Sequence, residues 1–233
     1  MNGSALNARL LSAAGFVRQN ATLADIGTDH AYLPLFLLDE GRICFAYCCD
    51  INEGPLNSAR KNAAERARLD KTDFILTDGA AVLADRGITD YAICGMGGEL
   101  IADIIDRAPH LRDGSLNLIL QPMSKQAYLR GYLASHGFEV MEESYSYDAG
   151  KYYVCMRVEY TGNCRELDPI TAEIGCENRQ NANNSAQIGY LNTKIAAYSR
   201  ALEGKRLGGE DVSAEAEMLA ALTARLDLIT KGR

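Results

Sequence analysis

The chain carries the stretch TLADIGTDHAYLPLFLLD at residues 22–39. Its first five residues, Thr22 to Ile26, form a short apolar run that is typical of a buried strand. Gly27 follows the run at once, and a largely apolar segment from Tyr32 to Asp39 has the character of a helix. The stretch therefore predicts a buried strand, a polar turn and a helix, in that order.

The same order of elements repeats along the first 160 residues. Further buried strands are predicted at 43–49, 74–76, 91–94 and 116–120, with helices at 55–69, 99–107 and 125–135. Strands that alternate with helices indicate a parallel sheet covered on both faces. An amphipathic helix at the start of the chain, with Leu6, Leu10, Ala13 and Val17 on one side, is expected to pack across one edge.

After His136 the alternation stops. Two strand-like stretches, 138–147 and 152–160, flank residues 148–151, whose Asp and Gly suit a reversing turn. This pattern predicts an antiparallel hairpin that closes the sheet. The expected fold class is thus α/β, with a Rossmann-like sheet of seven strands in a first domain, residues 1–162.

A second, α-helical domain is predicted at residues 163–233. Residues 177–187 are rich in Asn and Gln and read as a polar connection or a frayed helix. Apolar residues then recur at spacings of three and four over 188–202 and again over 212–229. Gly208 and Gly209 separate the two repeats, and Asp211 and Ser213 are available as caps. We expect a helical hairpin that resembles a short antiparallel coiled coil.

Composition is that of a soluble globular protein. The 233 residues are 47% hydrophobic and 24% charged, and no apolar run is long enough for a membrane span. Only Arg9 precedes the apolar run 10–17, which argues against a signal peptide. Seven cysteines without a C-x-x-C pair favour reduced thiols in the cytoplasm, with neither a disulfide framework nor a structural metal site.

Charge limits how nucleic acid could bind. The formal net charge is −7, which argues against a generally basic surface for phosphate contacts. Any contact with nucleic acid must therefore use a local patch of basic residues. Candidates are Arg9, Lys125, Arg130, Lys151, Lys194, Arg200, Lys205 and Arg206. Lys194, Arg200, Lys205 and Arg206 fall on or near the first helix of the predicted C-terminal hairpin.

Polar and glycine residues follow each of the five predicted parallel strands. In an open parallel sheet, ligands bind beyond the carboxyl ends of the strands, so these residues are expected to surround one crevice. In chain order they are Asp25, Gly27, Thr28, Asp29 and His30; Asp50, Ile51 and Asn52; Asp78 and Gly79; Gly95, Met96, Gly97 and Gly98; and Gln121 and Pro122.

The crevice has features of a nucleoside site. Gly27 lets the backbone approach a ligand closely, and Asp50 falls where such folds place an acidic residue that binds a ribose. No G-x-G-x-x-G motif is present, which disfavours a dinucleotide and favours a nucleoside without pyrophosphate, such as S-adenosylmethionine. The structural alternatives are a capped strand-to-helix turn at Asp25 and Gly27 and an exposed strand end at Asp50.

Three motifs occur in order at these strand ends: DIGTDHAYLP at 25–34, GMGGELI at 95–101 and ILQP at 119–122. On these motifs the chain resembles the TrmK family of tRNA (adenine-N1)-methyltransferases over essentially its whole length. The resemblance implies a seven-strand S-adenosylmethionine-dependent methyltransferase domain followed by a coiled-coil-like domain. It also implies methyl transfer to N1 of adenine 22 in bacterial tRNA.

The resemblance further implies which residues of this chain form the site. It places cofactor contacts at Asp25, Gly27, Asp50, Asp78 and Gly95, and we extend the cofactor site to their neighbours Ile51, Gly79 and Met96. It also marks Asp29 as the leading catalytic residue. From its place beside Asp29 we add His30 as a second candidate. The C-terminal part, with Cys176 and the Asn-rich run, matches the family less clearly.

Asp29 and His30 follow the glycine turn and can face the crevice. A carboxylate that accepts a hydrogen bond from the exocyclic amine of adenine would increase the electron density at N1 in the transition state. Asp29 suits this role, but it could instead cap the following helix or bind the amino group of the methionine. His30 could serve only as a local hydrogen-bonding group.

The residues Gly95 to Gly98 stand where methyltransferases that act on exocyclic amines carry Asn or Asp followed by Pro-Pro and an aromatic residue. That motif is absent here, and a glycine-rich turn leading into a helix is predicted instead. Tyr145, Tyr147, Tyr152 and Tyr153 are interpreted as strand residues in preference to a stacking platform for bases.

These observations lead to one main hypothesis and two alternatives. The main hypothesis is a cytoplasmic enzyme, a monomer or weak dimer, that methylates N1 of adenine in tRNA with S-adenosylmethionine and no metal. One alternative is a non-catalytic module that binds the cofactor or RNA, with the C-terminal hairpin as an interaction surface. The other is a methyltransferase for small molecules.

Overall fold

The computed structural model describes residues 6–175 and 184–231. Seven strands form one sheet in the order β3-β2-β1-β4-β5-β7-β6. The strands are β1 (Ala21–Ile26), β2 (Ile43–Asp50), β3 (Thr72–Leu76), β4 (Asp90–Gly97), β5 (Asn117–Ser124), β6 (Phe138–Asp148) and β7 (Lys151–Tyr160). The predicted seven-strand Rossmann-like sheet is confirmed.

The first five strands pair in parallel, as the alternation of strands and helices predicts. Five of the six residues of β1 and the first four residues of β4 are buried, because helices cover both faces of the sheet. The topology reverses between β1 and β4, where β1 pairs with β2 on one side and with β4 on the other. A crevice at the carboxyl ends of these strands is therefore expected from the fold itself.

The last two strands form the predicted antiparallel hairpin. The turn between them contains Ala149 at φ 46° and Gly150 at φ 81°, a left-handed pair that matches the twist of a tight hairpin. β7 enters the sheet between β5 and β6 and runs antiparallel to both. β6 consequently runs parallel to β5, and the hairpin turn lies at the same edge of the sheet as the crevice.

Helices pack on both faces of the sheet. One face carries α1 (Ala8–Phe16), α2 (Tyr32–Asp39) and α3 (Glu53–Glu65), and the other carries α4 (Gly98–Asp106) and α5 (Gln126–Ser135). α1 lies over β6, β7 and β5, the three strands at one edge of the sheet, as expected. α3 ends four residues before the predicted end of its helix, because Ala67 turns left-handed at φ 52°.

Three more helices follow the sheet: α6 (Pro169–Ile174), α7 (Asn184–Leu207) and α8 (Ser213–Lys231). α7 and α8 form the predicted helical hairpin, with Leu191 packed among Met218 and Leu222. Asp211 accepts hydrogen bonds from the backbone and hydroxyl of Ser213 and caps α8, as predicted. The helical hairpin is present, whereas a coiled coil is not confirmed.

The C-terminal helices also share the main core. Ala186 and Tyr190 of α7 are buried in the same cluster as Tyr145 and Val154 of the terminal strands. The boundary at residue 162 between two domains stays a prediction. Most of the predicted polar connection at 177–187, together with Cys176, lies outside the described residues, and its last part, from residue 184, is helical.

Within the described ranges no helix is both long and apolar enough to cross a membrane. Six cysteines fall in these ranges and all have free thiols. The same residues include no group of three or more His, Cys, Asp or Glu side chains arranged to hold a metal ion.

Candidate active site

A cleft of about 320 Å³ opens at the carboxyl ends of β1 and β4. This volume falls in the range of small-molecule sites. The start of α1 and the turn between β1 and α2 form its walls. Its lining residues are Asn7, Arg9, Leu10, Asp25, Gly27, Asp29, His30, Tyr32, Leu33, Cys94 and Gly95. Five of the predicted site residues, Asp25, Gly27, Asp29, His30 and Gly95, are thus brought together.

The turn after β1 is held by its own backbone. The N–H groups of Gly27 and Thr28 both donate to the carbonyl oxygen of Cys49, at 2.8 Å each. Gly27 has φ 76°, and a Cβ at this position would overlap the end of the Met96 side chain. Glycine suits this position because it tolerates the positive φ, and it also leaves room for the end of the Met96 side chain.

Asp25 is the buried acid of the cleft. Its Oδ2 accepts a hydrogen bond from the Thr28 hydroxyl at 2.6 Å. Burial raises the pKa of Asp25 to about 6, with a smaller upward effect from Asp50, while the Thr28 hydrogen bond and the Arg9 charge lower it. The ionised form of such a buried carboxyl is stabilised when a cationic group binds beside it.

Arg9 brings a positive charge from the first helix into the cleft. Asn7 caps α1 by accepting a hydrogen bond from the Leu10 backbone N–H at 2.9 Å, which fixes the turn that carries Arg9. Nη1 of Arg9 donates to Oε1 of Gln121 at 2.7 Å, and the same oxygen accepts from the Gly95 N–H at 3.1 Å. Arg9 therefore reaches the ends of β4 and β5.

Asp29 and His30 stand side by side at the mouth of the cleft. Nε2 of His30 lies 3.4 Å from Oδ1 of Asp29, and the Asp29 side chain is 78% exposed. α2 begins after Ala31, which lacks a capping side chain. Among the described residues Asp29 makes no hydrogen bond to this helix, so the alternative that Asp29 caps it is wrong. The Asp29 carboxylate is accessible to a ligand.

His30 is fixed mainly through its backbone and ring. Its carbonyl oxygen accepts a hydrogen bond from Nδ2 of Asn62 at 2.9 Å. Its ring lies 5.1 Å from the ring of Tyr32. Both aromatic side chains line the cleft, so His30 contributes surface as well as hydrogen-bonding groups.

The other predicted cofactor residues lie at neighbouring strand ends and do not line this cleft. Asp50 is the last residue of β2 and accepts a hydrogen bond from the Asn52 N–H at 2.8 Å. Ile51 is 61% exposed although it is a large apolar residue. The negative charge of Asp50 contributes to the raised pKa of Asp25.

Asp78 has a partner that the sequence pattern did not reveal. Nη1 of Arg107, at the end of α4, lies 2.8 Å from Oδ2 of Asp78, and this hydrogen bond lowers the pKa of the carboxyl. Gly79 follows with φ 89° and packs against Ile104. Asp78 is therefore tied to α4, which limits how its carboxylate can turn toward a ligand.

The predicted glycine-rich turn at 95–98 is wrong in its first three residues. Gly95, Met96 and Gly97 belong to β4, where irregular pairing with β5 bends the strand. α4 begins directly at Gly98, and a Cβ there would press on the backbone carbonyl of Lys125. The glycines serve close backbone packing, and Met96 extends over Gly27 beside the cleft.

The basic residues predicted on the C-terminal hairpin are only partly available. Lys194 forms an ion pair with Glu173, and Lys205 pairs with Glu215 at 2.7 Å. Arg200 and Arg206 are exposed. Sequence reasoning placed Gln121 at the crevice but missed its contact with Arg9, which it assigned only to possible phosphate contacts, because the two residues lie 112 positions apart in the chain.

Comparisons with known proteins agree with this geometry. Residues 6–156 match the family model described as "Methyltransferase domain". The tRNA (adenine(22)-N(1))-methyltransferase of Bacillus subtilis is 29% identical over 175 residues, which is 75% of this chain and 74% of that protein.

Two solved structures are similar over almost the whole chain. Sp1610 of Streptococcus pneumoniae, in complex with S-adenosyl-L-methionine, has a TM-score of 0.80 at 29% identity and covers 95% of this chain and 100% of its own. TrmK of M. capricolum, in complex with S-adenosyl-homocysteine, has a TM-score of 0.71 at 26% identity and covers 97% and 96%. The resemblance stated from the three sequence motifs is confirmed, and the chain belongs to the methyltransferase-domain family.

Proposed function

We propose that this protein transfers a methyl group from S-adenosylmethionine to N1 of adenine 22 in tRNA. The observation that carries the proposal is the cleft at the reversal of the sheet, which is lined by a buried carboxylate, Asp25, by a guanidinium, Arg9, and by the glycine turn after β1. The named activity of the Bacillus subtilis relative supports the choice of substrate.

The residues of the cleft fit the amino-acid end of the cofactor. A methionine moiety carries one ammonium and one carboxylate, and Asp25 and Arg9 offer one opposite charge to each. Gln121 holds Arg9 in place through the 2.7 Å hydrogen bond. Gly27 gives the ligand access to the backbone at the end of β1. In this proposal Asp25, Gly27, Gly95 and Met96 surround the methionine part.

The nucleoside end then extends toward the neighbouring strand ends. Asp50 is available for the ribose hydroxyls, as in related folds where an acidic residue follows β2. Ile51 presents an exposed apolar surface beside it for a purine ring. Asp78 and Gly79 lie farther along the same edge. Asp78 can accept a hydrogen bond from the adenine only if it gives up part of its ion pair with Arg107.

The cofactor supplies a methyl group on an activated sulfonium, so the chain needs no covalent nucleophile. The protein has to orient N1 of the adenine in line with that group and to stabilise charge on the base. Methylation at N1 leaves the adenine ring positively charged. The exposed Asp29 carboxylate, accepting a hydrogen bond from the exocyclic amine, would stabilise that charge as it develops. His30 lies 3.4 Å from Asp29 and would orient it.

The setting of the reaction follows from the same proposal. The substrate is tRNA, and we place the protein in the cytoplasm, where the six described thiols stay reduced. No metal takes part in the proposed chemistry. We expect a monomer or a weak dimer.

Incubation with labelled S-adenosylmethionine and a tRNA transcript tests the proposal, followed by identification of the methylated nucleoside. We expect 1-methyladenosine at position 22 and no product on a transcript in which adenine 22 is replaced by guanine. Cofactor binding without transfer to any tRNA would instead indicate a non-catalytic module. Transfer to free adenosine but not to tRNA would indicate a small-molecule enzyme.

A further inference from the structure

A second concave surface lies beside the cleft and has no part in the chemistry described above. This groove, of about 540 Å³, runs between α1, the β6–β7 hairpin and the start of α7. Its described lining residues are Ala8, Leu11, Ser12, Ser146, Tyr147, Tyr152, Ser185 and Ala186. We call it the tyrosine groove.

Two aromatic rings dominate the tyrosine groove. The Tyr147 ring lies 4.7 Å from the ring of Tyr152, and Tyr147 is 54% exposed. Tyr152 is held in place by α7, since a Cβ at Gly189 would overlap its ring. Gly189 thus allows α7 to pack directly on this tyrosine. The groove therefore presents a fixed ring beneath an accessible one, with serine hydroxyls at its sides.

The tyrosine groove and the cleft share α1. Ala8, Leu11 and Ser12 are spaced three and four residues apart and face the groove, whereas Asn7 and Leu10 face the cleft. The two sites are therefore separated by roughly one helix diameter, about 10–12 Å. Both lie at the carboxyl edge of the parallel strands, because β6 runs parallel to β5 and ends at Tyr147 and Asp148.

Charge also favours nucleic acid at this edge. Lys151, at the tip of the hairpin next to Tyr152, is exposed and forms no ion pair with any described residue. On the C-terminal helices, by contrast, Lys194, Lys205 and Lys231 are each paired with a carboxylate. An unpaired lysine beside an exposed aromatic ring is the combination that binds single-stranded nucleic acid, through phosphate and base respectively.

We propose that the tyrosine groove binds an unpaired nucleobase of the substrate RNA, a neighbour of the adenine held in the cleft. The inference rests on the proposed function. N1 of adenine is occupied in a base pair, so the target must leave its stack before it can react. Unstacked neighbours of such a base are commonly received on aromatic side chains. Tyr147 provides the exposed ring on which the base would stack.

The test uses full-length protein with two substitutions at one position. Tyr147→Ala removes the ring and Tyr147→Phe keeps it. The control is Leu69→Ala, which removes an apolar side chain of similar exposure at the opposite edge of the sheet.

Filter binding gives the Kd for tRNA, and calorimetry gives the Kd for S-adenosylmethionine. We expect Tyr147→Ala to weaken tRNA binding roughly 5-fold to 150-fold, the range for one stacked base, while cofactor binding is unchanged. Tyr147→Phe and Leu69→Ala should bind tRNA like the wild type.

A set of tRNAs with single abasic nucleotides on either side of adenine 22 locates the base. One of them should bind the wild type as weakly as Tyr147→Ala binds intact tRNA, with no further loss when the two changes are combined.

Wild-type affinity of Tyr147→Ala for intact tRNA would overturn the inference while leaving the proposed function in place. A groove that instead joins two copies of the chain would show as a dimer lost in Tyr147→Ala, and would also overturn it. If the wild type binds no tRNA, the proposed function fails as well.

Discussion

Arg9 and Gln121 are joined by a hydrogen bond of 2.7 Å between Nη1 and Oε1. Gln121 is completely buried, and its Oε1 also accepts the Gly95 N–H, so the acceptor is fixed from two sides. A guanidinium has five N–H donors, and this contact uses one of them. Arg9 is therefore held at the carboxyl edge of the sheet with donors left for a ligand carboxylate.

Replacement of Arg9 by Met should weaken S-adenosylmethionine binding by about 1.5–3 kcal/mol, the size of a hydrogen bond to a charged group. Binding of methylthioadenosine, which lacks the amino-acid part, should not change. Calorimetric titration of both ligands measures the difference, and the control is Arg112→Met, which lies after the short helix Pro109–Leu111 and before β5. An equal loss for the two ligands would show that Arg9 supports the shape of the cleft and does not bind the carboxylate.

Asp25 should make cofactor affinity depend on pH. Its pKa in the folded protein is about 6, and an ammonium group binds to the ionised form. Affinity should therefore decrease about tenfold for each pH unit below 6. Asp25→Asn should bind weakly at every pH and lose this dependence. Titrations between pH 5 and 8 measure it, with Asp70→Asn as an exposed control; a flat wild-type profile would remove Asp25 from the cofactor site.

The same substitution should stabilise the protein without ligand. The Asp25 carboxyl has a pKa of about 6 when folded and of 3.8 as its ordinary value. Between these values the folded state binds the proton more tightly, so the free energy of unfolding decreases as pH rises through this window. Asp25→Asn removes that loss and should gain up to about 3 kcal/mol at pH 7.5. Urea unfolding at pH 4 and pH 7.5 compares the two proteins.

Asp29→Asn should separate catalysis from binding. The proposed contact strengthens as positive charge develops on the adenine, so the single-turnover rate should fall by roughly a hundredfold or more. Affinity for S-adenosylmethionine should stay within a factor of about two, because Asp29 is exposed and is assigned to the base. Rate and cofactor affinity have to be measured on one preparation. A parallel decrease in both would make Asp29 a cofactor ligand instead.

Local sequence was sufficient for those parts of the site that each follow one strand. Asp25, Gly27, Asp29 and His30 lie within six residues, and the strand before them fixes the edge at which they stand. Strand-helix alternation likewise predicted the parallel half of the sheet, since burial on both faces leaves a continuous apolar run.

Contacts between distant segments could not be predicted in this way. Arg9 contacts Gln121 only because α1 packs over β5, and the residues next to Arg9 in the sequence do not indicate this packing. Lys194 and Lys205 read as an accessible basic patch, yet each is neutralised by a carboxylate from a different helix. Gly95 to Gly97 read as a turn because glycine disfavours strands, whereas here a strand needs them for close packing against its neighbours.

The last prediction concerns how α6 is attached to the sheet. Nε of Arg130, on α5, lies 2.7 Å from Oε1 of Glu143 on β6, and the two side chains are 2% and 0% exposed. Nη1 of Arg130 donates to the carbonyl oxygen of Ala172 in α6 at 2.8 Å, and the Tyr145 hydroxyl donates to Glu143.

Removing one partner of a buried pair leaves the other charge without compensation, which costs about 3–5 kcal/mol. Arg130→Met should therefore lower stability in urea unfolding by that amount. The matched control is Arg157→Met, whose partner Glu142 is 39% exposed, and its cost should stay below about 1 kcal/mol. Arg130→Met combined with Glu143→Leu should recover part of the loss, because neither charge then remains buried.

A chain cut after residue 162 should also be less stable than the whole protein, since it lacks the Ala172 carbonyl and the cover that Ala186 and Tyr190 give to the core. Equal stabilities of Arg130→Met and Arg157→Met would show that the buried pair does not hold α6 on the sheet.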